Sequence, residues 1–210
     1  MRRRHTGWAV GAAAALLVTG GAIAYTAVED SGGPSTRTPD TRSADAGFAR
    51  DMAVHHQQAV EMSYIIRDRT ENREVRGLAY DIAQTQANQR GMMLGWLDLW
   101  GVPKVSAEPP MSWMGMGDAA TGKDGALMPG MATHTDLDKL RSLSGKQAEI
   151  LYLQLMTAHH KGGVHMAEGC VATCEVEAEK RLAQGMVEAQ RSEIELMAGM
   201  LKERGAQPIS

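Results

Sequence analysis

From Ala44 onward the apolar positions recur with a helical period, and the whole pattern is then written a second time 104 residues later. Positions 48, 52, 59, 62 and 66 carry apolar or small residues, the spacing of one buried stripe on a helix over about 44–67. A second helix is predicted from about Arg73 to Trp100. It stops at Gly101 and Pro103, a glycine cap followed by a proline that cannot continue the helix. At the fixed offset, Phe48 corresponds to Tyr152, Met52 to Met156, His55-His56 to His159-His160, Val60 to Val164 and Met62 to Met166. The register persists into the second helix, where Leu78-Ala79 matches Leu182-Ala183, Gln86 matches Gln190, Met93 matches Met197 and Gly101 matches Gly205. A chance match would not hold one register over that span, so the chain is internally duplicated. In the second copy, Ser144 with Gln147 predicts a capping box before a helix over about 148–168, and a last helix spans about 175–204. Four long amphipathic helices from two hairpins predict an all-α, four-helix bundle with pseudo-two-fold symmetry over residues 44–205.

The segments outside the repeats read differently. Arg2-Arg3-Arg4 precede an uncharged, Ala-rich run from Gly7 to Val28. Ala22-Ile23-Ala24 resembles a small-residue cleavage site, which makes residues 1–28 a signal peptide; uncleaved, the same run is long enough to anchor the chain in a membrane. The arginines hold the N-terminus in the cytoplasm in both cases, so the remainder is expected outside, membrane-tethered or secreted. Residues 29–43, rich in Ser, Thr, Pro, Gly and Asp, form a flexible linker. The connector between the repeats, 102–143, combines four prolines and many glycines with Met111, Met114, Met116, Met128 and Met131. Such methionines are expected either packed on the bundle as gap-fillers or mobile as a soft-metal capture segment.

Composition narrows the chemistry. Of 210 residues, 15 are methionine and only one is phenylalanine, a core of Leu, Ala and Met that suits helices. The net charge is −3 and becomes more acidic once the three N-terminal arginines are set aside, which argues against a nucleic-acid partner. No Glu-x-x-His pair, phosphate-binding glycine loop, Cys-x-x-Cys-His haem site or nucleophilic triad signature is present. An enzyme with an organic cofactor is therefore not expected. Cys170 and Cys174 suggest a local disulfide in an oxidising compartment, with a thiolate metal site as the alternative.

The distinctive chemistry lies in the paired histidines. Met52, His55, Ala59 and Met62 share one helical face, and Asp45, Met52 and His56 a neighbouring one. Adjacent histidines diverge by about 100° around a helix, so one faces the partner helix while the other flanks it. The second copy repeats the set as Glu149, Met156, His159, His160 and Met166, and adds His165 where the first has Glu61. Symmetry places the two sets together on the bundle axis or as two equivalent sites. Imidazole with thioether suits copper, above all Cu(I), and by the same softness silver. His55, His56, His159 and His160 are the candidate ligands, and Met52, Met62, Met156 and Met166 are soft ligands or apolar walls. Asp45 and Glu149 are expected to orient the imidazoles from behind. The competing reading is a structural or interaction module whose histidines hydrogen-bond between helices.

The stretch from Asp45 to Met62, with its Met-Ala-Val-His-His-Gln-Gln core, resembles the signature of the secreted bacterial family of domain of unknown function 305. Leu153 to Met166 resembles its second copy, and Met128-Pro-Gly-Met131 its inter-repeat stretch. The resemblance covers about 44–204 and implies a ferritin-like helical bundle, with a periplasmic copper-binding and copper-resistance branch among its members. Glu149 departs from the usual Asp, and Gln89-Arg90 stand where the second copy has Glu193-Ile194, so the halves are not identical.

Overall fold

Helix α1, Ala44–Arg67, starts where the Ser43 hydroxyl accepts the Ala46 N–H at 3.1 Å. Helix α2, Arg73–Trp100, starts where Asn72 accepts from Glu74 and Val75. It ends at Gly101, whose φ of 67° turns the chain so that the Val102 N–H reaches the Leu97 carbonyl. These boundaries follow the local capping chemistry that the sequence displays. The computed structural model describes residues 38–117 and 122–209. The predicted signal or anchor segment, 1–28, and most of the linker lie outside the described residues. Among the described residues there is no strand, and no helix is long and apolar enough to cross a membrane.

Two features differ from the sequence expectations. The connector, in which no element is predicted, carries 3-10 turns at Ser112–Met114 and Lys123–Gly125 and a further helix, α3, His134–Ser142. The capping box lies there, between Thr133 and Asp136. At Ser144 no such box forms, because Gly145 takes a positive φ of 55° and donates its N–H to the Arg69 carbonyl at 2.7 Å. Helix α4 consequently begins earlier than expected, at Gly145, and runs on to Thr173; helix α5 spans Glu177–Glu203.

The helices pair as two hairpins, α1 with α2 and α4 with α5, joined along α1 and α4. These two run antiparallel. Ser63 near the end of α1 bonds Tyr152 near the start of α4 at 3.2 Å, and Asp45 at the start of α1 meets Glu175 and Val176 beyond the end of α4. The apolar interior is split in two. Ala59, Met62 and Ile66 pack with Leu78, Ile82, Tyr152, Met156 and Met197 at one end. At the other end Phe48, Met52 and Ala53 pack with Met93, Leu97, Met166, Ala167 and Met186. Between the two clusters every long helix contributes polar residues: His55 and His56, Gln86 and Gln89, His159 and His160, Gln190 and Glu193.

The connector methionines belong to this packing. Met111 and Met128 are buried, and Met114, Met116 and Met131 are partly buried against the second cluster. Asp51 fixes the segment by accepting the Met111 N–H at 2.7 Å and the Trp113 indole N–H at 2.9 Å. Gln58 pairs in both directions with the Ala132 backbone. The expectation of a mobile soft-metal capture segment is therefore corrected: the connector's methionines fill gaps in the packed core rather than hang free.

Pro129 and Gly130 lie directly on α4. A β-carbon at Gly162 would overlap the Pro129 carbonyl, and one at Gly130, where φ is 82°, would overlap the Ala158 carbonyl. Alanine normally improves a helix interior by about 0.5–1 kcal/mol over glycine. Gly162→Ala should instead destabilise the domain by about 1–3 kcal/mol, because the obstructing atom is backbone. Gly185→Ala, on the open side of α5 with nothing within 4 Å, should show the ordinary gain. Urea unfolding of the two variants side by side checks the contrast.

Candidate metal centre

His55 and His159 meet where α1 crosses α4. Their rings stack with centroids 3.7 Å apart and planes inclined by 30°. The other two histidines turn outward, each into its own hairpin. His56 Nε2 lies 2.8 Å from Gln89 Oε1 on α2, and His160 Nε2 lies 2.6 Å from Glu193 Oε2 on α5. The two contacts are equivalent under the 104-residue offset. The arrangement is a single polar layer with His55 and His159 at its centre, and all four rings have 0 % exposure.

Hydrogen bonding assigns the tautomers. His159 donates from Nε2 to the His55 carbonyl at 3.1 Å, His56 donates to Gln89, and His160 donates to Glu193. In a neutral ring that donates from Nε2, as at His56 and His159, the lone pair then resides on Nδ1. All four Nδ1 atoms are buried without a hydrogen-bond partner, as are Nε2 of His55 and the side-chain oxygens of Gln86 and Gln190. An orphaned buried acceptor costs about 1–3 kcal/mol, and native interiors hold few.

His55, His56 and His159 are held neutral. Burial pushes His55 and His159 well below the usual histidine range, and the other histidines nearby reinforce the shift. The Pro129 carbonyl pulls His55 weakly the other way without closing a hydrogen bond of normal geometry. His56 is pushed down to about 4, chiefly by burial, with its Gln89 hydrogen bond opposing and the charge of His160 adding. A neutral imidazole with an unused lone pair is the protonation state in which histidine binds a metal.

The sequence-predicted residues divide into two groups. His55, His56, His159 and His160 come together. Met52 and Met166 pack in the cluster on one side of the layer, Met62 and Met156 in the cluster on the other, all fully buried. No three histidines bring one ring nitrogen each within 4.8 Å of one another among the described residues. A metal bound by more than two rings therefore requires a ring to turn.

Asp45 and Glu149 do not orient the imidazoles, and that expectation is corrected. Each lies about ten residues before the histidines, roughly 15 Å along the helix. Asp45 Oδ1 accepts the Glu175 and Val176 N–H groups at 2.9 and 2.7 Å, bracing the turn between α4 and α5. Glu149 accepts from the Thr70 hydroxyl at 2.5 Å and from Arg204 Nε at 2.8 Å, bracing the turn between α1 and α2. The partners that do support the rings are Gln89 and Glu193. They were visible in the sequence as polar residues at matching positions on the second helix of each repeat, as were Gln86 and Gln190. His165 stands apart, exposed, with Nε2 3.4 Å from the Met116 sulfur.

The family model of domain of unknown function 305 matches residues 45–201. A crystal structure of a candidate secreted protein of that family from Streptomyces coelicolor is 68% identical, covers 81% of this chain and 99% of its own, and superposes with a TM-score of 0.76. A fragment from Deinococcus radiodurans is 31% identical over 76% of this chain and 96% of its own, with a TM-score of 0.62. CopM in its Cu(I)-bound form shares the fold at 22% identity over 76% of this chain and 96% of its own, with a TM-score of 0.58, and CopM has also been solved with Cu(II) and with Ag bound. No curated protein matches significantly.

Proposed function

We propose, starting from the fact that the chain belongs to the family of domain of unknown function 305, that it is a non-enzymatic copper-binding protein working outside the cytoplasm. The observation that carries this reading is the set of four buried imidazoles whose Nδ1 atoms have no partner. The donor chemistry fits Cu(I), and silver by the same softness, since thioether sulfurs flank the imidazole layer on both sides. Met52, Met62, Met156 and Met166 supply sulfur within the flanking apolar clusters, and Gln89 and Glu193 fix the His56 and His160 tautomers from behind. CopM, a protein of the same fold, takes up these two metals. Burying the metal under a packed connector suits sequestration rather than turnover. The ferritin-like bundle, with its two-fold repeat, keeps the two His pairs facing each other.

Export rests on the arginine-led apolar segment of residues 1–28 and on the description of the Streptomyces coelicolor relative as secreted. The chain acts either released or held by that segment.

The hydrogen bond from His159 to the His55 carbonyl favours a second reading, a structural module in which histidines tie α4 to α1. It leaves the four Nδ1 atoms unexplained. An anaerobic Cu(I) competition titration separates the two readings. Replacing His55, His56, His159 and His160 by alanine should weaken Cu(I) binding by more than about 100-fold, beyond the loss of a supporting hydrogen bond alone. Unchanged affinity with helical dichroism intact would assign the histidines to structure.

A further inference from the structure

The duplication exposes a second difference between the halves, at the turn between α4 and α5. Cys170, Cys174 and Glu179 stand at the positions that Ile66, Thr70 and Val75 occupy in the first repeat. Ile66 and Val75 are ordinary buried core residues there. The fold thus needs neither a sulfur nor a carboxyl at these places. Both changes occur together, and they converge: the two sulfurs and a Glu179 oxygen all lie within 4.8 Å of one another, in full burial.

Cys170 and Cys174 are joined as a disulfide. Glu179, in the first turn of α5, has no exposed surface, and neither of its oxygens receives a hydrogen bond. Burial, and secondarily the Asp45 carboxylate, pushes its acid range up to about 9. It is therefore a neutral acid, and its own proton serves Asp45 at most from one oxygen. A Glu179 oxygen lies within 4.8 Å of both sulfurs of the disulfide, which has no proton to offer. An orphaned buried carboxyl is costly, and a valine at the equivalent position shows that the cost is avoidable.

We propose that reduction of the Cys170–Cys174 disulfide creates a second metal site, in which two thiolates and the Glu179 carboxylate hold a divalent ion of the zinc class. Thiolate sulfur with carboxylate oxygen is a donor set zinc accepts, and three protein ligands leave a fourth position open. A small dithiol or dithiol protein is the reductant. It is oxidised to its own disulfide and delivers two electrons and two protons to Cys170 and Cys174. The incoming ion then displaces both thiol protons and the Glu179 proton to solvent, because its charge reverses the local preference for neutral groups. The frame is already rigid. Asp45 pins the turn by two backbone N–H groups, and the Cys174 N–H bonds the Cys170 carbonyl at 2.8 Å. The site is independent of the histidine layer.

The full chain, reduced with a phosphine under anaerobic conditions, should bind one equivalent of Co2+, used as the spectroscopic stand-in for zinc. Binding should bring thiolate-to-cobalt charge-transfer absorption, which cobalt on histidines does not give. The oxidised chain and the Cys170→Ser, Cys174→Ser double variant should lack that absorption, and Glu179→Gln should weaken binding at least about tenfold. A reduced chain with intact helical dichroism and no charge-transfer band would overturn the proposal. So would a Glu179→Gln variant that binds as tightly as the native chain, or a reduced chain that loses its helical dichroism.

Discussion

Acidifying the metal-free protein from about pH 7 to about pH 5 should cost it several kcal/mol of stability, well before its carboxylates are protonated. His55, His56 and His159 are held neutral by burial, with His56 down at about 4 against an ordinary value of 6.5. In that window the unfolded chain binds protons that the folded chain refuses. The histidine contribution is therefore complete above 6.5 and is lost as the pH falls toward the folded values. Each such proton is worth about 1.4 kcal/mol per pH unit, so three give a limit of roughly 4 kcal/mol per unit. Glu179 works in the opposite direction. Its folded value, raised to about 9, means the folded state holds a proton the unfolded state has released, and stability falls as pH rises through this range. Subtracting that single proton leaves a slope of roughly 3 kcal/mol per unit between about pH 6 and 5. Urea unfolding at closely spaced pH values checks it. A profile flat across this window would mean that the histidines gain protons in the folded state, and the neutral layer would be wrong.

Replacing His55 and His159 together by leucine should have two opposite effects. The two rings stack on each other in an apolar crossing, yet they carry three orphaned nitrogens between them, Nδ1 and Nε2 of His55 and Nδ1 of His159. Leucine fills a similar volume without polar atoms. Removing buried unsatisfied groups in favour of apolar ones of like shape is neutral or stabilising, so the metal-free double variant should gain about 1–3 kcal/mol. Its Cu(I) affinity should drop by more than about 100-fold, since the two central donors are gone. A structural role predicts the reverse on stability, because the His159 bond to the His55 carbonyl would be lost with nothing gained. Thermal unfolding without metal and Cu(I) competition on the same preparation read both effects. A variant that is less stable and still binds copper would favour the structural module.

How much was legible in the sequence depends on how local each feature is. The end of α2 was readable because Gly101 and Pro103 act on their own neighbours. The repeat register left two arrangements open, the His pairs together on the axis or as two equivalent sites, and the helix crossing that brings His55 against His159 decides between them. Helix α3 was hidden because Thr133 and Asp136 begin it inside a stretch dominated by Pro, Gly and Met. The failed box at Ser144 has a non-local cause, the Arg69 carbonyl that claims the Gly145 N–H. Asp45 and Glu149 were misassigned for a similar reason. Their proximity to the histidines in the sequence is distance along a rigid helix, whereas Thr70 and the Glu175–Val176 backbone that engage them come from the opposite hairpin. Gln89 and Glu193 were noticed only as a difference between the copies, since nothing in the sequence fixes which face of α2 and α5 meets the histidine layer.

X-ray absorption at the copper edge of the Cu(I)-loaded chain tests the account most directly, because it reports what touches the metal. The histidine layer predicts nitrogen donors with the outer-shell scattering of imidazole rings, and loss of that signal in the His55→Leu, His159→Leu variant. A spectrum of sulfur or water ligands alone, with no imidazole scattering, would place the copper elsewhere and contradict the claim.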